Sequence, residues 1–217
     1  MSAATRIVLV HAVTVAMDPI AKAFADQWSE AELVNLLDDS LSGDRAASDA
    51  LTPELYARFD ALTRYALDIG ARGILFTCSA FGDAIDAARA DVTVPVLKPN
   101  EAMFDAALAC GRRIGMLATF APSVASMERE FHDAAHASQA SIETVCVPEA
   151  MAALKSGDAA THNRLLAEAA PRLAHCDAIM LAHFSTSRAL DTVKAVFDGP
   201  VLTSPGSAVE RLKNALA

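Results

Sequence analysis

Residues 74–97 recur 105 positions further along the chain, and that repeat narrows the folds open to it. With no gaps, Ile74 lands on Ile179, Ala84 on Ala189, Asp86 on Asp191 and Ala90 on Ala195. Pro95-Val96-Leu97 lands on Pro200-Val201-Leu202. A shift of 107 pairs Ile7 with Ile114 and Phe24 with Phe131. Matches in preserved order at a near-constant offset are the signature of one architecture built twice. The first lobe is expected over residues 1–98, with a closing helix, 205–217, packing back on it. The second is expected over 99–204.

Short apolar runs alternate with helical patterns throughout. Ile7–Val10, Glu32–Leu37, 73–77 and Pro95–Leu97 read as strands of the first lobe, and 113–118, 143–147, 178–182 and 200–203 as strands of the second. Helices are expected at 18–28, from Pro53 (capped by Thr52) to Gly70, at 81–90, 100–110, 122–137, 149–174 with a break at Gly157, 186–197 and 206–216. Residues 38–52 are rich in loop formers and read as an irregular flap over a site. The expected fold class is therefore α/β: two similar Rossmann-like lobes with parallel sheets, related by a pseudo-two-fold axis.

Composition narrows the function. A formal net charge of −9 and no basic stripe argue against a nucleic-acid partner. No secretory or membrane-spanning run is visible, so the expectation is a cytoplasmic chain without a membrane partner. None of the four cysteines (Cys78, Cys110, Cys146, Cys176) forms a CxxC pair, which speaks against a zinc or redox motif. His132 and His136 are four apart on a helix, but their surroundings read as an ordinary helix face. No metal site is expected. No phosphate loop of the GxGxxG or GxxxxGK type is present. A homodimer is expected only because dimers are the commonest oligomers.

The chemistry-bearing stretch is Arg72-Gly-Ile-Leu-Phe-Thr-Cys-Ser-Ala-Phe-Gly-Asp83. Its apolar run stops at Thr77 and Cys78, and a helical pattern follows. A thiol beside the free N–H groups of a helix start is expected to have a lowered pKa. The competing reading is a small buried apolar residue. The 105-residue shift carries Cys78 onto His183, with Ser185-Thr186-Ser187 behind it. A thiol and an imidazole would then stand at equivalent strand ends, and both exchange protons near neutral pH. The competing reading of His183 is a core histidine bonded to backbone.

Nearly the whole chain resembles the aspartate/glutamate racemase superfamily, in its hydantoin racemase-like branch. The resemblance is strongest in Gly70–Asp83 and in Arg113-Ile-Gly-Met-Leu-Ala-Thr119. It implies an active site in the cleft between the lobes and chemistry without a cofactor at a carbon next to a carboxylate. It also implies Cys78 as the first of two acid/base cysteines. The sequence departs from that pattern where the second cysteine belongs: a Leu-Gly-Cys-Thr-like motif is Leu181-Ala-His-Phe-Ser185 here. The Asn-Thr that often follows the first cysteine is Ser79-Ala80, and the first-strand loop is His11-Ala-Val-Thr14.

The expected function is racemisation or epimerisation of a small carboxylate or amino-acid derivative. Cys78 would be the thiolate base, and His183 the acid/base for the other face, the two forming a thiolate–imidazolium pair. Backbone N–H groups at Ser79 and Ala80, with hydroxyls of Thr14, Ser79, Thr119 and Ser185, would hold the substrate, assisted by His11. The alternatives are one-cysteine chemistry like that of maleate isomerase or arylmalonate decarboxylase, and a non-catalytic carboxylate-binding homologue.

Overall fold

The computed structural model describes residues 4–48, 50–136 and 138–217. Its chain falls into two compact units, 1–100 with 208–217, and 101–207. The first unit carries strands β1 (Arg6–His11), β2 (Glu32–Leu37), β3 (Gly73–Phe76) and β4 (Val96–Leu97), with helices α1 (Met17–Gln27), α2 (Ser40–Ala46), α3 (Pro53–Asp68) and α4 (Gly82–Arg89). In the second are α5 (Glu101–Cys110), β5 (Arg113–Ala118), α6 (Ala121–Ala134), β6 (Ser141–Cys146), α7 (Pro148–Lys155), α8 (Ala159–Ala169), β7 (Ala178–Leu181), α9 (His183–Thr186), α10 (Leu190–Lys194) and β8 (Val201–Thr203). The closing helix α11 (Ser204–Ala215) begins in the second unit and ends in the first.

Both sheets are parallel and share one topology, β2-β1-β3-β4 and β6-β5-β7-β8. The repeat extends to register. Ile7 pairs with Gly73 and Ile114 with Ala178; Ile74 pairs with Val96 and Ile179 with Val201. The two α/β lobes read from the sequence are thus present. In this strand order the chain reverses its direction of travel between the two central strands. Such a switch point opens a crevice at the strands' C-terminal ends, where open parallel sheets take ligands.

The first core forms around Phe59 of α3, stacked on Phe76 (5.2 Å between centroids) and tilted against Phe81 (4.8 Å). Leu212 and Leu216 of the closing stretch come so near Gly73 that a β-carbon there would lie 3.0 and 3.4 Å from them. In the second unit, successive strand residues face opposite sides. Ile114, Met116 and Met180 pack with Phe104 and Phe131, while Leu117, Ile179 and Leu181 pack with Leu166 and Leu173.

The structure departs from the sequence expectations in several places. The expected flap at 38–52 contains α2. The Asp38 side chain accepts from the backbone N–H (3.2 Å) and hydroxyl (2.7 Å) of Ser40, buried Leu41 anchors the helix, and Arg58 binds Asp38 and Asp44. The helix expected at 186–197 starts at His183 and is broken, with a 3-10 turn at Ser187–Ala189 between α9 and α10. The helix expected from 81 is preceded by a 3-10 turn at Ser79–Phe81. Helix α6 ends at Ala134; the expected end, Ala137, lies outside the described residues. Among the described residues no helix is long and apolar enough to cross a membrane.

Asp177 ties the start of β5 to β7. It accepts from the backbone N–H groups of Arg112 and Arg113 and from the Arg113 guanidinium, each at 2.9 Å. These donors hold its carboxyl down at about 2. Because that lies below the unfolded value of about 3.9, the stabilisation is complete above that value and is lost as pH falls towards 2. A β-carbon on Gly111 would sit 2.4 Å from the Asp177 side chain. Gly111→Ala is expected to cost about 1–3 kcal/mol through overpacking. Thermal melts from neutral pH down to acid should show a lower Tm at neutral pH and a weaker acid sensitivity than wild type. An unchanged melting curve at every pH would refute the assignment.

Candidate active site

In the first unit the central strands end side by side. Beyond the last paired residues, Thr77 N–H still donates to Val10 C=O at 3.0 Å, so Cys78 is the first residue past the ladder. Cys78 is half-buried and extended (φ −122°, ψ 123°) and precedes the turn Ser79–Phe81. Fully buried Phe81, wedged on Phe59, anchors that turn from below. From α2, Arg45 Nε donates to the Ala80 carbonyl at 3.3 Å and Ser42 donates to the Ala12 carbonyl at 3.0 Å. The α2 segment is therefore fastened to the loops after both central strands.

Burial pushes the Cys78 thiol up, and the Ala80 N–H pulls the other way more weakly. The expected lowering is overturned. The turn after Cys78 is three residues long, and α4 starts only at Gly82, so little helix dipole reaches the sulfur. Desolvation of a thiolate outweighs one backbone N–H.

His11, the last residue of β1, is fully buried. Its Nε2 donates to Asn35 Oδ1 at 2.9 Å and its Nδ1 meets Thr77 Oγ1 at 2.9 Å. Burial lowers its pKa, partly offset by Asn35. With both nitrogens occupied, His11 braces the strand ends instead of presenting a free nitrogen to a substrate. Thr14 lies exposed on the 3-10 turn Thr14–Ala16, Ser79 is half-buried, and Ala80 is exposed.

The second unit repeats the construction. Ala182 N–H donates to Leu117 C=O at 2.9 Å, and His183 is the first residue past that ladder. His183 has φ +69°, in the left-handed region that a histidine seldom occupies. Thr186 holds this bend at the backbone, its hydroxyl donating to the Ala182 carbonyl and, at 2.9 Å, to the His183 carbonyl. The imidazole Nε2 lies 3.1 Å from Ser123 Oγ at the start of α6. Burial takes the His183 pKa down to about 4. At the adjacent strand end, Thr119 is buried, and its hydroxyl has no hydrogen-bond partner among the described residues. Ser185 is half-buried on α9.

The free protein thus holds a neutral thiol at Cys78 and a neutral imidazole at His183 near pH 7. The expected thiolate–imidazolium pair is not its resting state. Three residues that bond to the strand ends or the loops after them escape a sequence reading: Asn35, Arg45 and Ser123. Asn35 left a signal, as the one polar residue between apolar neighbours in Leu33-Val-Asn-Leu-Leu37. Ser123 and Arg45 left none.

A family model described as Asp/Glu/Hydantoin racemase matches residues 4–141. No curated protein sequence matches the chain. Among solved structures, the allantoin racemase of Klebsiella pneumoniae is similar over 97% of this chain and 87% of its own, with a TM-score of 0.72 and 18% identity. The aspartate racemase of Picrophilus torridus is similar over 97% and 94%, with a TM-score of 0.71 and 15% identity. A variant of arylmalonate decarboxylase is similar over 98% and 94%, with a TM-score of 0.69 and 16% identity.

A buried neutral thiol should react slowly. Iodoacetamide labelling, read by peptide mass spectrometry, is expected to modify Cys78 more slowly than exposed Cys110 at pH 7.5. The Cys78 rate should still be climbing above the free-thiol pKa of about 8.5. A Cys78 rate that has levelled off below pH 8 would show an activated thiolate instead.

Proposed function

The chain belongs to the Asp/Glu/hydantoin racemase family, and from that premise we propose that it transfers protons at the α-carbon of a small carboxylate, with His183 as base and Cys78 as acid. It is an isomerase of the racemase type. What supports this assignment of roles is the burial of the two strand-end side chains, which favours the neutral thiol and the neutral imidazole. A base must begin with a free lone pair and an acid with a proton. Neutral His183 and thiol Cys78 meet those conditions without prior ionisation.

The steps balance. A ring nitrogen of His183 takes the α-proton, and the C–H electron pair remains on the substrate as an enediolate. Cys78 gives its S–H proton to the other face of that carbon. The enzyme is left with an imidazolium and a thiolate, which is the state suited to the opposite enantiomer. Solvent exchange restores the resting form. A bound carboxylate would help at both positions, because a nearby negative charge raises the pKa of imidazole and keeps the thiol protonated. The Thr119 hydroxyl, unpartnered among the described residues, would bind the carboxylate and the developing enediolate together with Ser79, Ser185, Thr14 and the N–H groups at Ser79 and Ala80. His11 acts through Thr77 as a brace.

A second reading is favoured by the same neutral thiol. One of the structural neighbours is an arylmalonate decarboxylase, and decarboxylation forms its carbanion without a base. Cys78 would then be the proton donor and His183 would be dispensable.

Proton NMR in D₂O with aspartate, glutamate, hydantoins, maleate and arylmalonates separates the readings. The proposal expects loss of an α-proton signal with at least one acid, reduced about 10²–10⁴-fold in both Cys78→Ala and His183→Ala. CO₂ release that survives His183→Ala would establish the second reading. No turnover of any acid, with normal thermal stabilisation by them, would reduce the protein to a carboxylate binder.

A further inference from the structure

The hydrogen-bond chain at the start of α6 carries a consequence for His183 that rests on the proposed α-proton chemistry only for its use, not for its existence. Ser123 has one hydroxyl hydrogen. Its Oγ lies 2.8 Å from the Phe120 carbonyl, a group that can only accept, so the hydrogen is directed there. Towards the His183 ring, 3.1 Å away, the same oxygen is left with its lone pairs. We infer that Ser123 is a positioning residue that fixes His183 as the Nε2–H tautomer, leaving the lone pair on Nδ1.

Two further features support this assignment. The left-handed backbone of His183, held by Thr186, sets the direction in which the ring leaves the strand end. The Ser123 backbone N–H also donates to the Phe120 carbonyl, at 3.2 Å, so the turn that carries the hydroxyl is itself fastened. When Nδ1 accepts a proton, the positive charge spreads over a ring whose Nε2–H already points at Ser123 Oγ. The serine hydrogen and the Phe120 carbonyl relay that polarisation without any further proton moving. An imidazole bonded the other way, accepting from Ser123 at Nε2, would carry its hydrogen on Nδ1 and could not act as a base there.

The test is a long-range ¹H–¹⁵N correlation spectrum of ¹⁵N-histidine-labelled protein at neutral pH, with His183 assigned from the signal absent in His183→Gln. Wild type should show a protonated Nε2 with a slowly exchanging hydrogen and an unprotonated Nδ1. Ser123→Thr should keep that hydrogen visible, and Ser123→Ala should lose it to solvent exchange. Where a substrate is turned over, Ser123→Ala should lower kcat by about five- to tenfold, the worth of one neutral hydrogen bond, with rescue by Ser123→Thr. A hydrogen on Nδ1 in wild type, or an equally protected Nε2 hydrogen in Ser123→Ala, would overturn the inference. The spectrum needs no substrate, so it can succeed where the α-proton chemistry fails, and fail where that chemistry succeeds.

Discussion

The last backbone hydrogen bond between the central strands of each sheet sets where that unit's candidate residue stands. In the first unit it joins Thr77 to Val10, and in the second Ala182 to Leu117. One residue later the ladder ends, and the chain must turn away from its neighbour. Cys78 and His183 occupy that residue. A parallel sheet whose order reverses between its central strands leaves those ends uncovered by any crossover. The fold therefore makes one equivalent strand-end position per unit, and the sequence fills the two positions differently.

Desolvation then decides what these side chains are. A thiol near a helix start is an ordinary argument for a thiolate, but it needs a helix whose dipole reaches the sulfur. Here a three-residue turn stands between Cys78 and α4, and burial prevails. The same burial strips His183 of its proton. Both groups rest neutral, and the proposed roles follow from that, with the imidazole as proton acceptor and the thiol as proton donor. Neutrality also reduces the cost of burying them, since an unpaired charge at either strand end would be strongly destabilising.

Much of the fold was legible because it rests on periodicity. The eight strands, the parallel α/β class and the repeat all follow from alternating apolar runs and a constant offset. Thr52 caps α3 by accepting from the Leu55 N–H, and Gly70 takes the left-handed conformation just past its end, as their residue types require. The strand-end positions of Cys78 and His183 were legible for the same reason. What escaped was set by contacts far apart in sequence. Helix α2 depends on Arg58 reaching back to Asp38 and Asp44. His11 is closed off by Asn35 and Thr77, 24 and 66 residues away. Ser123 meets His183 across 60 residues. No local pattern carries such pairings, and the direction of a pKa shift depends on burial that only packing creates.

The most direct measurement is the pH dependence of kcat/KM for α-proton exchange, which reports the ionisations of the free enzyme. With a neutral base and a neutral acid at rest, the profile should be level from about pH 5 to about pH 8.5. It should fall on the acid side as His183 gains a proton at about 4, and on the alkaline side only above the usual thiol range. A rate that climbs through neutral pH as a thiol ionises would contradict the account and restore Cys78 as the base.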